Sequence, residues 1–342
     1  MPPDVPRYEI LGELGRGAMG VVYKVRDRQL NRIVAIKVSL AGEIQDESGL
    51  TTRFIAEAQV AAQLEHPSIT PIYDLDYLPD GRPYFTMRLI EGKSLAEHLA
   101  QTPGAAMREK CRTIAEGLAE ALAHVHSRGI VHRDLKPANV MVGETSEVSI
   151  VDLGLVKVLQ GFSSATRPPV HSSSRVHTDC GETQYGDIMG TFAFMPPEQA
   201  IGEVDQVGPH SDVFAFGAIL CQMLTGQPPY TGATIEDVRR RAVQGDLSDA
   251  HQRLVSCGGD AELVQLALRC LNAEPSNRPA DGAEIAQMLA AKRRAKEPEA
   301  NLQSAEQGRL SGWASTLWRC AAAAVALALS WFGTRPHSEP DA

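Results

Sequence analysis

The hydrophobic pattern changes its period near Gly92, and this change constrains the fold more than any other feature of the chain. Before Gly92, short apolar and β-branched runs are separated by turn residues, which is typical of strands. The predicted strands cover 8–14, 21–25, 33–38, 69–75 and 84–90. Residues 51–64 interrupt them with apolar residues at helical spacing. The pattern predicts a strand-rich lobe at 8–90 with one main helix.

After Gly92 the apolar residues recur three and four positions apart, which predicts a larger helical lobe at 91–292. The predicted helices cover 108–127, 212–224, 235–244, 261–271 and 281–295. Residues 155–189 are instead rich in Ser, Thr, Gly and Pro, without periodicity. A long irregular stretch inside a compact domain is usually functional or disordered. The predicted fold class is therefore α+β with two lobes.

Composition excludes several functions. A length of 342 residues suits two lobes and a tail. The net charge of −9 argues against a nucleic-acid partner, because such proteins are usually basic. The six cysteines are scattered without a Cys-x-x-Cys pair, which disfavours a zinc site or a disulfide framework and favours a reducing cytosol. The N-terminus lacks the pattern of a signal peptide.

Three glycines, Gly15, Gly17 and Gly20, form the spacing Gly-x-Gly-x-x-Gly. This spacing also marks dinucleotide-binding folds, in which a helix follows the glycines. Here the apolar run 21–25 follows, which favours a second strand and a hairpin that covers phosphates. Glycine lets backbone N–H groups approach phosphate oxygens without an intervening side chain. Taken alone, the motif is also compatible with an ordinary glycine-rich hairpin.

Lys37 ends the apolar segment Val34-Ala35-Ile36-Lys37, where an unpaired ammonium would be costly to desolvate. One alternative is a lysine that reaches solvent from an edge strand. The functional interpretation pairs Lys37 with the α- and β-phosphates of a nucleotide and with Glu57. Glu57 is the acidic residue best placed on the helix that follows.

Two carboxylates and an amide have the spacing that phosphate transfer requires: Asp134, Asn139 five residues later, and Asp152. Asp134 would orient an incoming hydroxyl and accept its proton. Asn139 and Asp152 supply the hard oxygen ligands that Mg²⁺ prefers. Lys136 would neutralise charge that develops on the γ-phosphate.

Two residues before Asp134 have predicted supporting roles. His132 is interpreted as a packed core imidazole that holds the loop. Arg133 is a candidate socket for a phosphorylated residue of the segment 155–189.

The ordered set of these motifs resembles the eukaryotic-type (Hanks-type) serine/threonine protein kinases of the bacterial receptor-kinase group, over residues 8–289. The resemblance implies a bilobal fold with a small antiparallel β-sheet lobe, and transfer of the ATP γ-phosphate to protein Ser or Thr hydroxyls with Mg²⁺. Lys136 and Thr191 resemble the serine/threonine version and not the tyrosine version.

The resemblance also assigns roles to residues around the nucleotide. Met87 would be the gatekeeper, and 88–90, centred on Leu89, would be the hinge that binds adenine through its backbone. The adenine ring would lie between Val22, Ala35 and Met141.

Other residues would have scaffolding or regulatory roles by the same resemblance. Glu198 would pair with Arg278, and Asp212 would cap the catalytic loop. Thr183, a few residues before Thr191, resembles activating phosphosites of the family, and its phosphate would meet Arg133.

Three departures from the family pattern stand out. Leu153 replaces the usual Phe, Pro196 replaces the usual Ala, and the segment between Asp152 and Glu198 is longer than in most members.

Two other functions remain open from the sequence. One is a pseudokinase scaffold that binds nucleotide without transfer, although Lys37, Asp134 and Asp152 are all retained. The other is a kinase-like fold acting on a small-molecule hydroxyl, which the peptide-binding appearance of 190–198 disfavours. Expected partners are protein substrates and a second copy of the chain for autophosphorylation in trans.

The C-terminal region is predicted to contain a basic polar linker (293–312), an Ala- and Leu-rich segment (313–332) and a short tail (333–342). The middle segment is long enough for a single transmembrane helix, but it includes Arg319. An interfacial helix and a soluble packing helix are the alternatives. The basic residues before it predict a cytoplasmic kinase domain attached to the inner membrane.

Overall fold

The computed structural model describes residues 3, 5–17, 19–40, 50–102, 104–152, 157–158, 191–203 and 205–291. The chain divides into two compact units, Met1–Ala286 and Gln287–Ala342. The second unit lies outside the described residues apart from 287–291. All contacts discussed below belong to the first unit.

A five-stranded antiparallel sheet forms the N-terminal part, in the order β1-β2-β3-β5-β4. Its strands are β1 (Tyr8–Arg16), β2 (Gly20–Asp27), β3 (Arg32–Ser39), β4 (Ile72–Tyr77) and β5 (Pro83–Met87). β3 is the central strand and its last six residues are buried, which explains why most of its residues are apolar. The predicted small sheet lobe is confirmed.

One helix, α1 (Leu50–Ala61), lies between β3 and β4 in the chain. Its apolar stripe packs on the sheet, where Phe54 and Ala58 contact Phe85 of β5. The rings of Phe54 and Phe85 are 5.0 Å apart. This contact fixes the face of α1 that carries Glu57 against the end of β3.

The C-terminal end of α1 belongs to a different cluster. Val60 and Ala61 pack with Val125 and Ile130, which lie in the helical part of the unit. The same apolar cluster therefore joins the sheet lobe to the helical lobe at one end of α1.

The helical part contains two small sheets and most of the helices. The long helix α3 is buried along one face, as its three- and four-residue apolar spacing requires. The helices are α2 (Leu95–Gln101), α3 (Ala105–Ser127), α4 (Pro197–Ile201), α5 (Pro209–Thr225), α6 (Ile235–Gln244), α7 (Ser248–Ser256), α8 (Ala261–Cys270) and a further segment at 282–291.

The short strands are β6 (Lys93–Ser94), β7 (Ile130–Val131), β8 (Val140–Val142), β9 (Val148–Ile150) and β10 (Lys157–Val158). β6, β8 and β9 form one sheet, and β7 pairs with β10. A 3-10 turn, Pro137–Asn139, precedes β8. β7 precedes His132 and β9 precedes Asp152, so both ends of the segment 132–152 lie against the helical part. The expected α+β architecture is present.

Several predicted boundaries differ from the structure, and the strand predicted at 84–90 ends at Met87. The strand predicted at 69–75 begins only at Ile72, because Ile69 instead forms an isolated parallel bridge with Ile150. The short helices α2, α4 and α7 were not predicted, since each is too brief to repeat the helical period often. None of the helices in the described part of the chain is long and apolar enough to cross a membrane. The candidate segment 313–332 lies outside those residues.

A buried ion pair holds the helical part together. Arg278 donates through both terminal nitrogens to the two carboxylate oxygens of Glu198, at 2.8 and 3.0 Å. The guanidinium also donates to the backbone oxygens of Asn272, His210 and Ala273, so each of its five N–H groups has an acceptor. Burial disfavours ionisation of Glu198, but Arg278 holds the pKa of that carboxyl below its usual value.

We expect Glu198→Ala to lower the free energy of unfolding by about 3–5 kcal/mol, because it leaves a buried guanidinium without its countercharge. Urea denaturation measures this change. Arg240→Ala removes the exposed partner of Asp237 and serves as the control, with an expected change within about 1 kcal/mol. An equal decrease in the free energy of unfolding of the two variants would contradict the stabilising role of the Glu198–Arg278 pair.

Candidate active site

Three charged residues from separate segments meet beside β3. Lys37 Nζ donates to Glu57 Oε1 at 2.8 Å and to Asp152 Oδ1 at 3.0 Å. Lys37 lies in the buried part of β3, Glu57 projects from α1, and Asp152 follows β9. The side chain of Asp152 is 44% exposed, against 8% for Lys37 and 4% for Glu57. Asp152 is therefore the member of this trio that solvent or a ligand reaches.

Burial and ion pairing shift the pKa values of these three groups in opposite directions. Burial raises the pKa of Glu57 to about 7, although Lys37 opposes the shift. Glu57 Oε2 is buried without a hydrogen-bond partner among the described residues, which accounts for the dominance of desolvation. For Asp152, desolvation in the cleft opposes ionisation, but Lys37 keeps its pKa below the usual value. Lys37 keeps a raised pKa despite burial because two carboxylates face it.

The segment before Asp134 has a strained backbone. Arg133 adopts φ +69°, a left-handed conformation that non-glycine residues rarely adopt. Asp212 holds it there, because its carboxylate accepts hydrogen bonds from the backbone N–H groups of His132 (2.7 Å) and Arg133 (2.9 Å). Strain of this kind persists only where surrounding contacts impose it, and it is concentrated at functional sites.

A third donor completes the coordination of Asp212. Gly282 N–H donates to His126 Nδ1, so the ring proton lies on Nε2, which donates to Asp212 at 2.9 Å. His132 itself is fully buried, and its Nδ1 accepts a hydrogen bond from Asp134 N–H. This placement agrees with the packed, loop-holding role predicted for His132.

Around Asp134, hydrogen bonds converge on one carboxylate oxygen. Lys136 Nζ lies 2.9 Å from Asp134 Oδ2, and Asn139 Nδ2 donates to the same oxygen at 3.2 Å. Lys136 also donates to Thr191 Oγ1 at 3.1 Å. Asp134 Oδ1 has no hydrogen-bond partner among the described residues, so it is available to accept a bond from an incoming hydroxyl.

The glycine-rich hairpin has different requirements at its three positions. A Cβ on Gly20 would lie 2.7 Å from the carbonyl oxygen of Val38, so only glycine fits beside β3. A Cβ on Gly15 or Gly17 would meet nothing within 4 Å. Gly17 N–H closes the turn onto the oxygen of Gly20. The open space beside Gly15 and Gly17 suits a hairpin that covers a ligand.

The residues predicted around adenine lie on neighbouring strands. Ala35 is paired with Met87 across β3 and β5, and Val22 is paired with Lys37 across β2 and β3. Met141 lies in β8 and is half-buried.

The backbone N–H and C=O of Leu89 make no hydrogen bond within the part of the chain that the structure describes. An adenine ring could therefore use both groups.

The donor set also fits a nucleotide-borne metal ion. Asn139 uses its Nδ2 on Asp134, which leaves its Oδ1 for a ligand, and Asp152 has its Oδ2. No cluster of three His, Cys, Asp or Glu suited to a metal occurs among the described residues. Mg²⁺ is commonly held by one or two protein oxygens together with substrate phosphates, so two protein ligands suffice.

Some predicted positions lie outside the described residues, namely Leu153 and Thr183. Other contributing residues were not predicted. Gln199 donates from its side chain to the backbone oxygen of Arg133 at 2.7 Å, and His126 supports Asp212. The sequence near Gln199 and His126 does not indicate these roles, because each residue binds a partner that is distant in the chain.

The pKa of Glu57 predicts a pH dependence of stability. Between pH 4.5 and about 7 the folded protein binds a proton at Glu57 that the unfolded chain has released, so stability falls as pH rises through this window. The glutamine side chain of Glu57→Gln does not ionise, so this variant lacks the pH dependence that Glu57 causes. We expect the wild type to lose stability relative to Glu57→Gln from pH 5 to pH 8, measured by urea denaturation without nucleotide.

Glu109→Gln, at an exposed position of α3, controls for the general loss of one negative charge. If the wild type instead kept its stability relative to Glu57→Gln over this range, Lys37 would outweigh desolvation and the carboxyl would be ionised throughout.

Comparison with known proteins agrees with this geometry. Residues 8–292 match the protein kinase domain family. The chain is 33% identical over 319 residues to serine/threonine-protein kinase PknB of Mycobacterium tuberculosis strain H37Ra, covering 90% of this chain and 47% of the relative.

A second relative is the DNA damage-responsive serine/threonine-protein kinase RqkA of Deinococcus radiodurans, 36% identical over 291 residues. That match covers 84% of this chain and 40% of RqkA, so the chain spans less than half the length of both curated relatives. On this evidence the chain belongs to the eukaryotic-type (Hanks-type) serine/threonine protein kinase family.

Proposed function

We propose that this protein transfers the γ-phosphate of ATP to Ser or Thr hydroxyls of proteins. The observation that carries the proposal is the contact of Lys37 with both Glu57 and Asp152, at 2.8 and 3.0 Å. In this contact the ammonium proposed to bind phosphate lies beside the carboxylate proposed to bind metal, although the two are 115 residues apart in the chain. Asp134, whose loss would favour a scaffold without catalysis, is retained.

Asp134 and Lys136 have different proposed roles, which follow from their positions in the site. Asp134 Oδ1 would accept the hydrogen bond, and then the proton, of the incoming hydroxyl. Lys136, fixed by Asp134 and Thr191, would offset negative charge near the acceptor. Because phosphoryl transfer proceeds through a loose transition state, positioning and electrostatics matter more than strong base chemistry.

Other residues of the chain would hold the nucleotide. Lys37 would contact its α- and β-phosphates, and the glycine hairpin would cover them. The backbone of Leu89 would bind adenine, with Val22, Ala35 and Met141 against the ring. Asn139 and Asp152 would hold Mg²⁺, which when bound would neutralise charge on the phosphates.

Regulation by phosphorylation is a further part of the proposal. Arg133 is half-buried beside the strained loop, and desolvation lowers the pKa of its guanidinium without removing its charge at neutral pH. Arg133 has no ion pair within the part of the chain that the structure describes, and a phosphate on Thr183 would supply an anion for its guanidinium. A second copy of the chain would deliver the phosphate in trans.

The decisive variant is Asp134→Asn, assayed with radiolabelled ATP. We expect the wild type to phosphorylate itself and the variant to lose about 10²–10⁴-fold of the rate while still binding nucleotide, because the amide cannot accept the hydroxyl proton. Asp249→Asn, an exposed position of α7, is the matched control and should keep its activity.

Each alternative has its own outcome in this assay. A wild type that binds ATP but transfers nothing would support the pseudokinase. Transfer only to small-molecule hydroxyls would support the alternative of a kinase-like fold that acts on small molecules. In the phosphopeptides of the active wild type, modification at Thr183 is expected, and full activity of Thr183→Ala would remove its proposed role.

We also propose that the catalytic domain works in the cytoplasm, held at the inner membrane by segment 313–332. Support comes from the apolar composition of this segment and the basic residues before it. Alkaline carbonate extraction should leave the full chain in the membrane pellet and release a version ending at residue 312. Release of both would contradict a spanning helix.

A further inference from the structure

One loop of the sheet lobe, residues 62–71 between α1 and β4, is bonded to the helical lobe through its backbone. Ile150 N–H of β9 donates to the oxygen of Ser68 at 2.8 Å. The loop follows directly on the helix that carries Glu57, and β9 is the strand that precedes Asp152. The loop therefore connects both of the carboxylate-bearing segments of the active site.

An imidazole of this loop stacks on an imidazole of α3. The ring centroids of His66 and His124 are 4.8 Å apart, and the ring planes are inclined by 28°. His66 Nδ1 accepts a hydrogen bond from Ser68 N–H at 3.1 Å, so the proton of the neutral His66 ring lies on Nε2. Arg88, which follows β5, donates to the oxygen of Pro67 at 3.1 Å and so brings a cation close to the loop. The stacked pair is thus a side-chain contact between the loop and α3.

The buried nitrogen of His124, Nε2, has no hydrogen-bond partner among the described residues. A neutral imidazole can carry its proton on Nδ1 and leave only a lone pair at Nε2. Protonation would place an N–H at both nitrogens, so a buried donor would be left without an acceptor, which is costly. The stacked position therefore favours the neutral form of His124.

The charged groups near the pair act in the same direction. Burial lowers the pKa of His124, and His66 and Arg128, just after α3, lower it further. Glu65 in the loop and Glu120, one turn earlier on α3, are both exposed. Neither carboxylate pairs with an imidazole of the stack in the part of the chain that the structure describes. A proton on His124 would consequently meet cations without a countercharge.

This preference for a neutral His124 makes the contact between the loop and α3 dependent on pH. A released ring takes up a proton near its ordinary pKa of 6.5, whereas the stacked ring stays neutral to lower pH. The stacked state is therefore fully stable above pH 6.5 and loses stability as pH falls below it. At pH 5.5 a released imidazole is about ten times more often protonated than neutral, so the equilibrium constant for stacking falls by up to about tenfold.

We infer that His66 and His124 are positioning residues for phosphoryl transfer, whose neutral stack holds loop 62–71 on α3 and whose separation in acid slows the reaction. The inference rests on the proposed kinase function, because the loop acts through the two carboxylates that face Lys37. Both imidazoles act through backbone and packing, without contact with the reacting groups.

Hydrogen exchange of the full chain at pH 7.5 and pH 5.5 tests the opening of the loop. His124→Phe keeps an aromatic ring on His66 but removes the titrating group. We expect the wild-type protection factors of peptides covering 62–71 and 148–152, corrected for intrinsic exchange, to fall by up to about tenfold at pH 5.5. In His124→Phe they should change by less than about twofold.

The rate of autophosphorylation with radiolabelled ATP tests the link to the reaction. We expect the ratio of the rate at pH 7.5 to that at pH 5.5 to be at least about threefold larger in the wild type than in His124→Phe. Other titrating groups, such as Glu57 and the phosphates of ATP, are shared by both proteins and cancel in this comparison. His98→Phe removes a half-buried imidazole from α2 and should behave like the wild type.

A second variant, His66→Asn, keeps an acceptor for Ser68 N–H but removes the ring, so its protection and its rate should be low at both pH values. It remains informative if His124→Phe does not fold. Equal acid responses in the wild type and His124→Phe, wild-type protection in His66→Asn, or altered exchange without an altered rate would overturn the inference. Absence of transfer by the wild type at both pH values would instead contradict the kinase function itself.

Discussion

The arrangement of the cleft depends on the ammonium of Lys37, which contacts carboxylates from two different segments. A buried ammonium is stable only when opposite charge lies close to it, and β3 alone provides none. Glu57 supplies that charge from α1, and Asp152 supplies it from the chain that follows β9. The two partners differ in exposure, so the trio combines a buried structural contact with one that a ligand could replace. Departure of either segment would leave Lys37 partly unpaired.

Larger and more rigid contacts fix the other half of the site. Asp212 is fully buried and binds the backbone of His132 and Arg133, and the Glu198–Arg278 pair lies nearby on α4 and before the segment 282–291. Ser211, the neighbour of Asp212, donates to Glu198, so the two networks are directly connected. The strained loop is thus held by buried charged groups, namely Asp212 and the connected Glu198–Arg278 pair. The helical part of the cleft is thus held by buried contacts, whereas the trio includes the exposed Asp152.

Much of this organisation followed from sequence, for physical reasons. Long periodic segments such as α3 and α6 were predicted well because a repeated period leaves little ambiguity. The Lys37–Glu57 contact was expected from the position of both residues in the sequence and the Glu198–Arg278 contact from family resemblance, and the structure contains both. The support from His126 and Gln199 could not be predicted, since it depends on residues that meet only after folding.

The apolar cluster at the end of α1 has a mechanical consequence. Val60 and Ala61 are packed against Val125 and Ile130, whereas the opposite end of the helix starts about 16 Å away at Leu50. Phe54 and Ala58, in the middle of the helix, pack on Phe85 of the sheet. Glu57 therefore lies between a contact with the sheet and a contact with the helical part, about 6 Å from Ala61. Any change in how the two lobes pack against each other would act on the carboxylate that faces Lys37.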